Sequence, residues 1–345
     1  MMHLINEMIA AGQNPAKLHA ILVHFPIAIS MSEAYGSTPG PTARRLGAYL
    51  LQTIYQGDVI VCALFLTGQI SNVIIADFAR KAAGIDLTYG RWALAAVVPG
   101  VVSLLLVPYL LFRVFPPELT ATPGAAVLAR TELRRMGPMT RAERLMLGVF
   151  VVVAGLWIGG ARFGLNPTLV ALTGVVILLV TGLLTWNDAL AEHAACDVFI
   201  WFGGLVRMAE ALNEYGVTRR FAAAASALTV GWAWWLALLA LLLIYFYAHY
   251  GFASITAHVS AMFLPFVTVA IASGAPAFLT VAAFAFLSNL SATLTHYGTT
   301  PAPIYFSAGY MSQGTWWRLG LLASFITIPT WLILGAAWWK LLGWW

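Results

Sequence analysis

The sequence predicts an all-α polytopic membrane protein whose two halves repeat one order of elements, the pattern of a secondary transporter with broken helices. Three observations predict it. Of 345 residues, 61% are hydrophobic and only 9% charged, against about 25% charged in a soluble domain, more apolar surface than a soluble fold of this size could hide. Several windows run about 17–25 residues nearly without charge, enough to cross a hydrocarbon core. The apolar runs are also interrupted at matching places in the two halves, and such interruptions point to the binding site of a carrier. Fourteen Trp and twelve Tyr suit interfacial belts.

Taken in order, residues 1–19 are mixed and read as interfacial. An apolar arm, 21–31, leads to a Pro/Gly/Ser turn, 32–45, and a span from about Leu46 to Thr67. Gln52, Gln56 and Asp58 in that span are costly in lipid, so they are expected to face protein or a cavity. "TGQISN", Thr67–Asn72, breaks the run. A shorter segment with Asp77, Arg80 and Lys81 follows, then a span from about Trp92 to Phe115 with kinks expected at Pro99 and Pro108. Residues 116–144 form a polar loop carrying Arg130, Arg134, Arg135, Arg141 and Arg144, with Arg113 just before it. The positive-inside rule places this loop in the cytoplasm.

Two spans, about 145–160 and 166–186, come next. "NDALAEHAACDVFIWFGGLVRMAEALNEYG" reads as an amphipathic or partly inserted helix on the cytoplasmic side, with Arg219 and Arg220 supporting that side. A span from about Ala225 to Tyr247 enters "HYGFASITAHVSAMF", and a returning arm, 259–272, ends near Pro276. A span follows from about Phe278 to Thr295, then a break at "THYGTTPAPIYFSAGY" and a last span from about Arg318 to Leu342. The domains expected are a remnant of a first repeat (1–115), the basic loop (116–144) and a second repeat (145–345). Within the second lie a C-terminal re-entrant hairpin (about 231–275) and a broken helix (about 278–310). The first repeat is incomplete, because it has only about twenty residues before its arm where the second has a full span.

Function classes drop out on the same reading. There is no Walker motif, nucleophile elbow or CxxC pair, so ATP-driven transport and hydrolase chemistry lack support, and an enzyme is not expected. The basic residues behind the +5 net charge cluster in one loop, a topology signal rather than a nucleic-acid surface. Cys62 and Cys196 are far apart and read as buried thiols. His193 and Asp197 have i,i+4 spacing with Glu192 nearby, but no third ligand is evident and a solvated face is favoured. No metal and no cofactor are expected, and no cleavable signal pattern is read at the N-terminus.

Two stretches concentrate polar groups at membrane depth, where irregular backbone is tolerated only inside protein or beside a wet cavity. In "FASITAH" a hairpin tip would offer the hydroxyls of Ser254 and Thr256, free backbone N–H groups and the positive end of the returning helix. Together these suit a carboxylate, and His258 would add charge if a dicarboxylate favours its protonated form. The competing reading has the hydroxyls bonded back to helix carbonyls and His258 packed and neutral. In "SNLSATLTHYGTTPAPIYF", Gly298, Pro301 and Pro303 force the helix to unwind, and freed carbonyls with Thr295, Thr299 and Thr300 would bind a cation or substrate, unless the stretch is an ordinary interfacial loop. "TGQISN" is its first-half counterpart. Asp58 is either a proton or cation site or a structural hydrogen bond.

"FASITAHVSA", "SNLSATLTHYGTTPAPIYFSAGY" and the closing "WWRLG" and "WWKLLG" resemble the divalent anion/sodium symporter family. So do "LGAYLLQTIYQGDVIVCALFLTGQISNVIIADFA" and "DVFIWFGGLVRMAEALNEYG". The likeness, over roughly residues 25–345, is to the branch of bacterial citrate, tartrate and malate carriers and plastid 2-oxoglutarate/malate translocators. The resemblance implies an inverted-repeat fold with two re-entrant hairpins and an elevator-like transport domain. It implies di- and tricarboxylate substrates of the 2-oxoglutarate, malate, succinate and citrate class, moved by exchange, and a homodimer in a bacterial inner membrane. Ser254, Ile255 and Thr256 match the carboxylate-holding motif of the C-terminal tip. His258 matches a position where sodium-independent members place a positive side chain, so Na+ is not favoured as coupling ion. Thr299, Thr300 and Pro301 match the loop that closes the site, and Gly68, Ser71 and Asn72, with Asp58, are the candidate first-half or cation site.

The chain departs from the family at its first tip. A Ser-Asn-Thr-Ala-Arg-like motif is expected before "FPIA", and "GQNPAKLHAILVHFPIAIS" stands instead, with Asn14, Ala16 and Lys17 a faint echo. This motivates an alternative expectation: a truncated remnant that cannot transport alone, or an interaction subunit of such a carrier.

Overall fold

The computed structural model describes residues 25–191 and 231–345, with Arg207, Ala211, 214–216 and Arg220 between them. The arm before Phe25, the Asn14–Lys17 echo, Glu192, His193, Cys196 and Asp197 lie outside the described residues. So do most of the amphipathic segment and the start of the span read from Ala225. The described residues hold helices and turns and no strand. Among the described residues six helices are long and apolar enough to cross a membrane. The chain divides into two compact units, 15–118 with 197–345, and 119–196 with 1–14.

The larger unit begins with α1 (Phe25–Ala34), α2 (Gly47–Leu64), α3 (Ile70–Ala83) and α4 (Tyr89–Val114). The turn after α1 is organised by Ser37, whose Oγ accepts from the backbone N–H of Leu46 and Gly47 and so caps the start of α2. Thr88 caps α4 through the Arg91 N–H. Pro99 and Pro108 both lie inside α4. Proline cannot donate to the carbonyl four residues back, so Pro99 frees the Ala95 carbonyl, and the Trp339 indole N–H takes it at 2.9 Å. Trp338 does the same for the neighbouring Leu94 carbonyl at 2.7 Å.

The smaller unit holds α5 (Ala125–Met136), α6 (Arg141–Gly159), α7 (Pro167–Val180) and α8 (Trp186–Ala191). The stretch read as a polar loop, 116–144, therefore contains a twelve-residue helix. Its arginines follow amphipathic rather than irregular spacing. A capping box of Thr140 and Glu143 starts α6, and α6 packs on α7. The span read over 166–186 is shorter than expected. Asn166 caps α7 at its start, Gly182 ends it with φ 70, and its fourteen residues rise only about 21 Å.

The larger unit continues with α9 (Trp234–Ala248), α10 (Ile255–Ala272), α11 (Ala277–Leu290), α12 (Ala302–Ser307) and α13 (Gln313–Leu341). α10 and α13 each contain a π turn, Val259–Phe263 and Thr330–Gly335, beside Pro265 and Pro329. Losing one N–H donor shifts the local register from i→i+4 to i→i+5. Every residue of α11 from Phe278 to Leu290 is buried, as a helix apolar all round must be. It packs against α2, α3, α9, α10 and α13 and forms the centre of the unit.

Candidate functional site

The tip is a sharp reversal between α9 and α10. A 3-10 turn, His249–Gly251, ends the descent, Phe252 and Ser254 are extended, and α10 starts at Ile255. Trp234 at the far end of α9 lies against Gly274 beyond α10, so the two helices close into a hairpin. Ser254 caps α10: its Oγ accepts from the Ala257 N–H at 3.1 Å. Accepting leaves the hydroxyl's own proton to donate. Ile255 is buried, while Ser254 and Thr256 are half-buried. The first-turn N–H groups of an eighteen-residue helix point towards the tip.

His258 sits one turn below Ser254 and is fully buried. Its ring stacks on Tyr245 at 4.3 Å and on Phe252 at 4.9 Å between centroids. Its Nδ1 lies 3.2 Å from Nδ1 of His249, also fully buried. Ser288 donates to the Phe284 carbonyl at 2.6 Å, so its single proton is committed. Tyr245 must then be the donor in its 2.8 Å bond to Ser288. The tip is thereby fastened to α11 through a ring and a hydroxyl.

The second break follows α11. A 3-10 segment, Ser291–Leu294, is held by α2: Tyr55 donates to the Ala292 carbonyl at 2.7 Å and Gln56 to that of Thr293 at 3.4 Å. Residues 295–300 are not helical, and Pro301 starts α12. A Cβ built on Gly298 would overlap both Nε2 of His249 and Oγ1 of the buried Thr295, so only glycine lets the break close on the hairpin. Tyr297 donates to the Tyr250 carbonyl at 2.8 Å, and Trp317 of α13 to Nδ1 of His296 at 3.1 Å. Thr299 and Pro301 are half-buried and Thr300 is exposed.

The first break lies between α2 and α3. It is one 3-10 turn, Leu66–Gly68, flanked by extended Phe65 and Gln69. The sequence places it over Thr67–Asn72, but Ile70, Ser71 and Asn72 already belong to α3. A Cβ on Gly68 would stand 2.6 Å from the Cys62 carbonyl. Asn72, fully buried, donates to the carbonyls of Cys62 at 2.9 Å and Phe65 at 3.0 Å, the second of which also accepts from the Gly68 N–H of the 3-10 turn. Its own oxygen accepts from Asn289 of α11 at 2.8 Å, and Asn289 in turn accepts from Gln69. Three carboxamides thus join the two broken helices. Ser71 is 1% exposed with its hydroxyl unpaired.

The structure therefore brings Ser254, Ile255, Thr256 and His258 together at the tip. It sets the second break against that tip through His249 and Gly298, bonds Asn72 to α11, packs Gly68 on the Cys62 backbone and leaves the buried Ser71 hydroxyl unpaired. Asp58 stands apart from the tip's contacts: it accepts from Tyr305 of α12 at 2.8 Å, tying α2 to the helix that follows the second break. His249, Asn289 and Gln69 were not read as site residues. His249 carried a signal: two histidines nine residues apart, either side of a tight reversal, must approach when the hairpin closes. Asn289 carried none, because its partners are 217 and 220 positions away. Among the described residues no three His, Cys, Asp or Glu side chains gather as metal ligands.

The sodium:sulfate symporter transmembrane region, as a family model, matches residues 3–345. The chain belongs to that family. It is 44% identical over 337 residues to the putative malate transporter YflS of Bacillus subtilis, covering 97% of this chain and 70% of that protein. It is 41% identical to dicarboxylate transporter 1 of Arabidopsis thaliana chloroplasts, over 94% of this chain and 58% of the relative. Dicarboxylate transporter 2 of Spinacia oleracea chloroplasts is 37% identical, over 98% of this chain and 61% of the relative. The chain thus spans about three fifths of the length of these plastid relatives. The family is one of membrane transporters, not of enzymes, and with six helices among the described residues long and apolar enough to cross a membrane the protein is an integral membrane protein.

Proposed function

We propose that the chain is a secondary carrier of di- and tricarboxylate anions of the malate, 2-oxoglutarate, succinate and citrate class. It works by exchange, through alternating access, as a homodimer in a bacterial inner membrane with residues 116–144 in the cytoplasm. The observation that carries this is the 44% identity, across 97% of the chain, to a protein named as a putative malate transporter. The geometry supports it. A capped helix N-terminus with two hydroxyls and an imidazole beneath suits a carboxylate rather than a neutral solute.

In this reading Ser254, Ile255 and Thr256 bind one carboxylate through hydroxyls and backbone N–H groups, and His258 supplies charge. Thr299, Thr300 and Pro301 close the site with the freed backbone of the second break. Gly68, Ser71 and Asn72 are the first-half counterpart, and Asp58 steadies the helix beyond the second break through Tyr305. The two breaks descend from inverted repeats, and sodium is not favoured as the coupling ion. The test is uptake of labelled malate into proteoliposomes preloaded with 2-oxoglutarate. Uptake that requires the internal anion is expected. Uptake no greater than in protein-free vesicles would leave the remnant or interaction subunit as the better description.

A further inference from the structure

The Nδ1 atoms of His249 and His258 are 3.2 Å apart, and both rings are fully buried. That contact needs one hydrogen between the nitrogens, so one ring presents Nδ1–H and the other a bare Nδ1. The donating ring must then have a bare Nε2 when the pair is neutral. A third proton placed there makes the donor an imidazolium bonded to a neutral imidazole, and a charge-assisted bond of this kind is stronger than the neutral one. The pair is thus built to hold one extra proton shared across the hairpin break.

The groups facing the pair are aromatic or hydroxyl-bearing. On α9 and its 3-10 turn these are Tyr245, stacked on His258, and Tyr250, whose carbonyl is taken by Tyr297. Phe252 covers His258 between the helices. From the second break come Thr295 and Gly298, against Nε2 of His249. His296 in the same break is engaged with Trp317 of α13. On α3, which packs against the start of α10, Asp77 is paired with Arg80 and Lys81. Among the described residues no carboxylate, lysine or arginine contacts either imidazole. Among the described residues an empty site thus offers no anion to hold a proton on the pair. A dicarboxylate at the tip supplies one, one helical turn from His258, in surroundings of low polarity where charges interact strongly.

We propose that the His249–His258 pair is a proton-binding site, and that a dicarboxylate dianion binds together with one proton taken from solvent. The proton is then the co-bound ion, and His249 is a functional partner of His258. The inference rests on the dicarboxylate-carrier reading above. Calorimetric titration of malate into the purified full chain at pH 7.5, repeated in phosphate, HEPES and Tris buffers, reads the proton count from the buffer's ionisation heat. The expected result is uptake of about one proton per malate bound, because a titrating group whose proton affinity rises on binding takes a proton up. His249→Gln and His258→Gln keep a hydrogen-bonding side chain but cannot titrate. Either is expected to abolish the uptake and weaken binding by about tenfold. Malate binding with no proton uptake in the wild type overturns this inference and leaves the carrier reading intact. Uptake unchanged in His249→Gln overturns the role of His249. Should a variant fail to fold, the wild-type count still decides. No binding of malate, 2-oxoglutarate, succinate or citrate overturns the carrier reading beneath it.

Discussion

The two breaks solve one problem in different ways. Each interrupts an apolar helix and so changes the partners of backbone carbonyls. The first is a single 3-10 turn whose carbonyls are met mainly from its own two helices: Asn72, three residues into α3, donates to those of Cys62 and Phe65, with Trp92 of α4 on that of Ala63 and Asn289 of α11 on Asn72 itself. The second is longer and is held from outside. Tyr55 and Gln56 of α2 take its 3-10 carbonyls, Trp317 of α13 takes His296, and Tyr250 and His249 of the hairpin meet Tyr297 and Gly298. A short break bridged by its own asparagine and anchored on the buried α11 is a fixed post. A break whose partners belong to a hairpin and two other helices responds when any of them shifts, as a gate of alternating access must.

Gly298→Ala should break this contrast most severely. The added methyl would push the second break off His249 and Thr295, and displacement on the scale of an ångström costs about a hundredfold in function. Malate exchange in proteoliposomes should fall by about that factor while the purified variant still elutes as a folded protein. Exchange within twofold of wild type would show that the break need not close on the hairpin.

Asn72→Ala tests the internal repair. It removes the bonds to the Cys62 and Phe65 carbonyls and the partner of Asn289, a loss of about 2–3 kcal/mol at roughly 1 kcal/mol per bond, while the Phe65 carbonyl keeps the Gly68 N–H. Thermal melting in detergent should drop clearly. Asn289→Ala should drop it less, because the bonds from Asn72 to Cys62 and Phe65 remain. Equal losses would mean that the break depends on α11 as much as on its own asparagine.

Trp317→Phe is the mildest probe. It keeps the ring against Tyr250 and His296 but deletes the bond to His296, worth about 1 kcal/mol. Stability should change little, while the rate of exchange should change more than it does in a Trp338→Phe control, whose bond goes to the Leu94 carbonyl away from the break. Equal effects of the two would remove the claim that outside fastening of the second break is functional.

Much of this was legible in sequence because it is local. Spans follow from runs of apolar residues, and the breaks from Gly68, Gly298 and Pro301. Ser254 as a tip cap follows from a hydroxyl ahead of a helix. The helix in 125–136 was hidden by its arginines, which make an amphipathic pattern look like a loop. The short α7 was hidden because hydropathy continues past the Gly182 turn that ends it. The amide link between Asn72 and Asn289 and the indole that answers Pro99 join residues more than 200 positions apart. No local pattern encodes such pairs, since only the packing of α11 and α13 brings them together. The family resemblance supplied the expected role for the tip but not the second histidine.

The central claim is that a carboxylate anion lies between the tip and the second break. With Cys62 and Cys196 replaced by serine, Thr256→Cys and Thr299→Cys can be labelled with a maleimide in proteoliposomes, with and without saturating malate. Malate should slow labelling at both positions and leave an exposed control, Gln313→Cys at the start of α13, unchanged. Labelling at Thr256→Cys and Thr299→Cys that proceeds equally fast with malate, in protein that still exchanges it, would contradict the account.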